Sequence, residues 1–178
     1  LTFNYFVVRR IIGGVLRRYK CETVLDFGCG IGILTPLFPQ KKYLGFDVDE
    51  KAITFAKAKH PGYSFIVADA TNLRLNKKFD LIMVIGVLHH LNDKEAKIVL
   101  KIMCSLLTNG GVILIIEAIP PIYKWNVLGR FLRALDKGRF VREIDDYTRL
   151  MRATGLKIRE QYAKIGGILD YGVFIISC

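Results

Sequence analysis

One stretch, Thr23 to Gly32, constrains this chain more than any other. A short apolar run, Thr23-Val24-Leu25-Asp26-Phe27, enters a turn in which Gly28, Gly30 and Gly32 alternate with other residues. Glycine reaches backbone angles closed to other residues and leaves no side chain between main chain and ligand. A bound molecule can then approach the N–H groups where a helix is expected to start. The stretch reads as a cofactor site, although a glycine-rich turn alone is weak evidence. A second apolar run, Tyr43-Leu44-Gly45-Phe46, strengthens it by ending in Asp47, about 20 residues downstream, where a carboxylate can accept both hydroxyls of a ribose.

Further segments extend the pattern. Asp26-Phe27-Gly28-Cys29-Gly30-Ile31-Gly32 is followed by Gly45-Phe46-Asp47, by Ala68-Asp69-Ala70, by Phe79-Asp80-Leu81-Ile82-Met83-Val84 running on to Leu91, and by Leu107-Thr108-Asn109-Gly110-Gly111-Val112. In these segments the chain resembles the class I S-adenosylmethionine-dependent methyltransferases, over roughly residues 22 to 178. A nicotinamide-dependent dehydrogenase is the near neighbour to exclude, and its fingerprint places the third glycine one residue later. The resemblance implies S-adenosyl-L-methionine as cofactor and S-adenosyl-L-homocysteine as product. Gly28, Cys29 and Gly30 would lie against the methionine part, and Asp26 would fix the loop or reach the amino group. Asp47 would bind the ribose with Val48 beside it, Asp69 would accept the adenine amino group, and the backbone at Ala70 and Ile85 would complete the pocket.

From 23 to 117 short apolar strands alternate with helical stretches, the signature of a parallel sheet covered on both faces. Strands are expected at 42–47, 63–68, 79–85 and 111–117 after the first. Asp49 is expected to cap a helix running to about Lys59. Asn92 or Asp93 should cap another, running to Leu107 and stopped by Asn109-Gly110-Gly111. Further on, Asp145 or Asp146 should cap a helix ending near Gly155, and the runs 156–164 and 171–178 can pair antiparallel. The fold class expected is α/β: a Rossmann-like doubly wound sheet of seven strands with a C-terminal antiparallel hairpin, in the order 3-2-1-4-5-7-6 that the resemblance implies.

With 178 residues and 52% apolar composition, the chain suits a single domain, 1–178, with a real core. Cysteines 21, 29, 104 and 178 show no paired spacing, and no apolar run approaches the about 20 residues of a membrane span. A reducing, cytoplasmic setting is the expectation. The net charge of +11 suits nucleic acid, an anionic membrane surface or an acidic substrate, and alone selects none.

The distribution of that charge says more. Residues 3–19 read as a basic amphipathic helix, with Val8, Ile11, Ile12, Val15, Leu16 and Tyr19 on one face and Arg9, Arg10, Arg17 and Arg18 on the other. It is expected to pack on the sheet edge, close the cofactor pocket or touch lipid. After Pro120-Pro121, residues 119–141 read as a lid-like insertion, with a helix over 123–135 that carries Trp125, Leu128, Phe131, Leu132 and Leu135 at helical spacing.

Transfer from a sulfonium is an in-line displacement in which positioning supplies most of the acceleration. His89 and His90, after the fourth strand, and Glu117, at the end of the fifth, are the candidate catalytic groups. Scattered histidines and unpaired cysteines indicate no metal site. Val84-Ile85-Gly86-Val87 stands where many amino-group methyltransferases carry Asn/Asp-Pro-Pro-Tyr, which argues against base-flipping chemistry of that type. The leading expectation is a methyltransferase acting on a small-molecule or lipid-like acceptor. The basic amphipathic helices also suit peripheral membrane contact, and specific nucleic-acid recognition is not expected. The alternatives are an RNA methyltransferase and a catalytically silent cofactor-binding scaffold.

Overall fold

The computed structural model describes residues 5–123, 140–166 and 169–178. The helix expected over 123–135 and most of the lid-like insertion therefore lie outside the described residues. Seven strands form one sheet: β1 (Val24–Phe27), β2 (Tyr43–Asp47), β3 (Ser64–Val67), β4 (Phe79–Ile85), β5 (Leu107–Ile119), β6 (Lys157–Ile165) and β7 (Asp170–Ser177). Their order is β3-β2-β1-β4-β5-β7-β6, as expected. The pairs β1–β2, β1–β4, β2–β3 and β4–β5 are parallel, and β7 runs antiparallel between β5 and β6.

Four α-helices cover the sheet among the described residues: α1 (Tyr5–Arg18), α2 (Glu50–Lys59), α3 (Asp93–Leu106) and α4 (Ile144–Arg152). Two apolar clusters separate the faces. Val8, Ile12 and Val15 of α1 and Ile53 of α2 pack on one face with Met83, Leu114 and Val173. On the other face Val99 and Met103 of α3 and Tyr147 and Met151 of α4 pack with Ile82, Ile113 and Phe174. Because consecutive strand residues point to opposite faces, the all-buried runs of β1 and β7 feed both clusters at once.

The apolar stripe of α1 is thus consumed in the core, with Val8, Ile12 and Val15 at most 1% exposed. That stripe is therefore not available to lipid, and Arg9, Arg10 and Arg17 stand in solvent. Within α1, Gly13 and Gly14 each cost the helix about 1 kcal/mol relative to alanine. A Cβ at Gly14 would meet nothing within 4 Å, so no internal packing explains it. Among the described residues no helix is long and apolar enough to cross a membrane.

Several local expectations are corrected. No α-helix follows the glycine turn among the described residues; residues 28–34 form turns that lead into a single 3-10 turn, Thr35–Leu37. Helix α3 passes straight into β5 at Leu107, so Asn109-Gly110-Gly111 does not stop it. Between the pairs Phe79↔Leu107 and Leu81↔Val112 those residues bulge out of the ladder, which a four-residue excursion with positive φ at Gly110 permits. The residue at the N-cap of α4 is Glu143 rather than Asp145 or Asp146, which occupy the first turn and favour the positive helix end from there. Cys104 on α3 and Cys178 after β7 form a disulfide, which corrects the expectation of four unpaired cysteines and removes the premise for a reducing compartment.

The expected caps hold elsewhere. Asp49 accepts from Lys51 N and Ala52 N. Asn92 closes a capping box with Glu95, accepting from Lys94 N and Glu95 N while Glu95 accepts from Asn92 N. Asn92→Ala should destabilise the domain by about 1 kcal/mol in urea unfolding without altering the sheet's circular dichroism.

Candidate active site

The carboxyl ends of β1 and β4 open on a cavity of about 450 Å³, lined by Asp26, Gly28, Cys29, Gly30 and Ile85 among others. Five of the residues expected to hold the cofactor are therefore together. Gly28 is indispensable to the turn: its φ is +78°, and a Cβ there would approach Val87 Cγ2 to 2.5 Å. At Gly30, with φ +52°, a Cβ would point into open space, so its absence keeps the cavity clear. The loop does not present its N–H groups to the cavity in the manner first expected. Gly28 N and Cys29 N both donate to Phe46 O at 2.9 Å, which stitches the turn to β2.

Asp47 completes that stitching. Its Oδ2 accepts from Gly30 N at 2.8 Å and its Oδ1 from Asp49 N at 3.0 Å. An ionised carboxylate offers about four lone-pair directions, so both oxygens retain acceptor capacity for a ribose. Ala68 N donates to Asp47 O at 3.0 Å, which brings the Ala68-Asp69-Ala70 segment alongside. Asp69 is exposed and its Oδ1 accepts from Thr71 N at 2.7 Å and Thr71 Oγ1 at 2.8 Å; those bonds hold its carboxyl below the ordinary value. Asp47, Val48, Asp69 and Ala70 do not line the cavity itself, and Val48 is 71% exposed.

Asp26 lies 3% exposed in a strand with no other polar side chain. Burial pushes its carboxyl up to about 6, and the Asp47 charge adds to this, against the pull of the Tyr43 hydroxyl, which donates to Asp26 Oδ2 at 2.7 Å. Tyr43 in turn accepts from Thr35 Oγ1 at 3.0 Å. Cys29, held neutral as burial pushes its thiol up, serves as an apolar wall rather than a nucleophile.

After Ile85 the chain turns through Gly86 and a 3-10 turn, Leu88–His90. Glu117, fully buried on β5, accepts from Val87 N at 2.9 Å and Leu88 N at 2.7 Å, and its Oε2 lies 2.7 Å from His89 Nδ1. A carboxylate accepts, so His89 turns an Nδ1 proton towards Glu117. The structure thus joins His89 and Glu117 directly, but both are buried. His90 is exposed, with its ring centroid 4.1 Å from that of His89.

Sequence reasoning did not single out four contributing residues. Tyr5 and Val8 of α1 wall the cavity, which realises the closing role expected of that helix. Tyr43 satisfies Asp26, although nothing in an apolar strand marked its hydroxyl. Arg142, which follows the segment 119–141, donates to Leu88 O, Phe140 O, Leu91 O and Asp93 Oδ1 at 2.7–3.1 Å and clamps the turn that carries the histidines. Among the described residues no group of three His, Cys, Asp or Glu could hold a metal ion.

A glycine turn after β1, an acid at the end of β2 and a cleft at the carboxyl ends of a doubly wound sheet define a nucleoside-binding α/β domain. Comparison narrows this. The family model described as "Methyltransferase domain" matches residues 24–111. Over 93 residues the chain is 34% identical to tRNA (carboxymethyluridine(34)-5-O)-methyltransferase of Saccharomyces cerevisiae, a match covering 51% of this chain and 33% of that protein. It is also 33% identical over 93 residues to trans-aconitate 2-methyltransferase of Methylobacterium radiotolerans, with 50% and 35% covered. The chain thus spans about a third of the length of these curated relatives. The fold matches the N-methyltransferase NodS of Bradyrhizobium japonicum with a TM-score of 0.73 at 21% identity, covering 99% of this chain and 98% of the other. Residues 24–111 thus belong to the methyltransferase-domain family, and the fold that carries them is that of the class I S-adenosylmethionine-dependent methyltransferases.

The buried Asp26 has a thermodynamic signature. Unfolded, its carboxyl ionises near its ordinary value, so between about pH 4 and 6 the unfolded chain has lost a proton that the folded chain retains, and stability falls as pH rises. The accumulated difference is on the order of 3 kcal/mol. Asp26→Asn keeps an acceptor for Tyr43 and removes the titration. Its stability relative to wild type should rise across that window and level off above it in urea unfolding, and a flat difference would refute the assignment.

Proposed function

We propose that the domain transfers the sulfonium methyl of S-adenosylmethionine to a small-molecule or lipid-like acceptor, releasing S-adenosylhomocysteine. Asp26, Gly28, Cys29, Gly30 and Ile85 hold the methionine side of the cofactor. Asp47 and Val48 take the ribose, with Asp69 and Ala70 at the adenine. The observation that carries the acceptor class is the apolar rim of the cleft, where Ile31 and Ile33 stand 40% and 51% exposed beside the glycine turn. Exposed apolar side chains at a cleft mouth favour an acceptor with an apolar body.

The chemistry is in-line displacement, with the acceptor atom held opposite the leaving sulfur. His90 is the candidate group for receiving the acceptor's proton, and Glu117, His89 and Arg142 position its turn. The segment 119–141 serves as the lid. Support comes from its two described ends, since Phe140 N donates to His89 O and Ile122 N donates to Asp170 Oδ2.

An RNA acceptor is the second reading, favoured by the net charge of +11 and by a relative named for a tRNA. Incubating the protein with isotopically labelled S-adenosylmethionine and, separately, a metabolite extract or total RNA distinguishes them. Label in small molecules alone supports the leading reading, and label at one position of a structured RNA replaces it. Asp47→Ala should weaken S-adenosylhomocysteine binding by about 1.5–3 kcal/mol in calorimetry with the fold retained, the scale for losing charge-assisted hydrogen bonds. An unchanged binding constant would remove Asp47 from the site.

A further inference from the structure

A second cavity, of about 570 Å³, lies between α1 and the edge strand β6, outside the cofactor cleft. Its lining combines apolar Phe6 and Tyr162, 78% and 38% exposed, with the cations Arg10, Arg18 and Lys164. Arg18 is already engaged, donating to both oxygens of Glu160 at 2.6 Å. Arg10 and Lys164 make no ion pair among the described residues, so the groove carries uncompensated positive charge over apolar walls.

Its floor includes Gly14. Glycine is a poor helix residue, and a Cβ at this position would meet no protein atom within 4 Å. The missing side chain therefore serves nothing in the described protein, but it deepens the groove and lets a bound molecule approach the helix backbone. Size, apolar walls and a few cations are the attributes of a small-molecule site.

We propose that this groove binds an anionic ligand with a flat apolar body, its acid group paired by Arg10 and Lys164 and its body laid over Gly14 between Phe6 and Tyr162. The groove adjoins the cofactor cleft along the first turns of α1, where Tyr5 and Val8 wall the cleft while Phe6 and Arg10 line the groove. Its occupancy does not rest on the cofactor reading.

The test uses 8-anilinonaphthalene-1-sulfonate as the anionic aromatic probe, titrated by fluorescence with and without saturating S-adenosylhomocysteine. One saturable site should persist when the cleft is filled. Its dissociation constant should rise at least about tenfold, the scale of one lost charge-assisted contact, in the double variant Arg10→Glu/Lys164→Glu and in Gly14→Leu. Gly14→Leu fills the floor while improving helix propensity, so loss of binding there does not report unfolding. Lys57→Glu, on the exposed face of α2, should bind as wild type. The neutral analogue N-phenyl-1-naphthylamine should bind at least about tenfold more weakly, and inorganic phosphate should fail to displace the probe.

Equal probe binding in wild type and both groove variants would overturn the proposal. So would displacement of all probe by S-adenosylhomocysteine. An RNA oligonucleotide that binds steeply with falling salt and is indifferent to Gly14→Leu would also overturn it, by assigning the cations to a polyanion surface. If S-adenosylhomocysteine itself does not bind, the cofactor reading fails while the variant comparison still decides the groove.

Discussion

Burying a carboxylate inside a β-sheet is costly unless donors reach it, and this fold solves that problem twice beside one cleft. Asp26 on β1 is met by Tyr43 from β2, and Glu117 on β5 by two backbone amides and His89 from the turn after β4. Each solution ties together elements distant in sequence. The first fixes the register of β1 against β2 where the glycine turn begins, and the second sets the path of the chain leaving β4. Asp26 itself lines the cavity, while Glu117 holds the turn that follows Ile85 and Gly86 of its lining.

The same logic extends outward. Asp47 fastens the glycine turn through Gly30 N, while Arg142 fastens the turn at Leu88–His90 through backbone carbonyls. At the opposite, amino end of the central strand β4, Asp80 performs an equivalent task, accepting from Glu22 N, Thr23 N, Thr23 Oγ1 and Thr108 Oγ1. Burial pushes its carboxyl up, but those hydrogen bonds outweigh it and hold the group below its ordinary value. Positioning groups of this kind suit displacement chemistry, which needs geometry more than an acid or a base.

Charge and hydrophobicity are segregated on α1 in a way that bears on partners. Its apolar stripe is a core element, so the arginines are neither a lipid-inserting face nor a counterpart to a buried acid. Among the described residues Arg18 alone of these arginines is drawn into an ion pair, exposed enough to add little stability, and the remaining cations are left for ligands or solvent.

Much of this protein was legible in the order of its residues. Alternation of apolar runs with helical stretches, the spacing from Gly28 to Asp47 and the caps at Asp49 and Asn92 are local signals. A strand, a turn or an N-cap is decided by a few neighbouring residues, so the elements and the glycine turn were legible locally, while the strand order was implied by the family resemblance those segments carry. Nothing local announced that Tyr43 would satisfy Asp26, that Arg142 would hold the turn bearing His89 and His90, or that Cys104 and Cys178 would meet. Nor did the pattern show that Gly28 and Cys29 would spend their amides on Phe46, or that His89 and Glu117 would be buried together while His90 remained exposed. Those outcomes depend on which groups the packed sheet brings within about 3 Å of one another, and hydrogen bonds act only at that range. Local pattern therefore determined the frame of the cleft, and tertiary packing alone decided which of its polar groups face a ligand and which serve the frame.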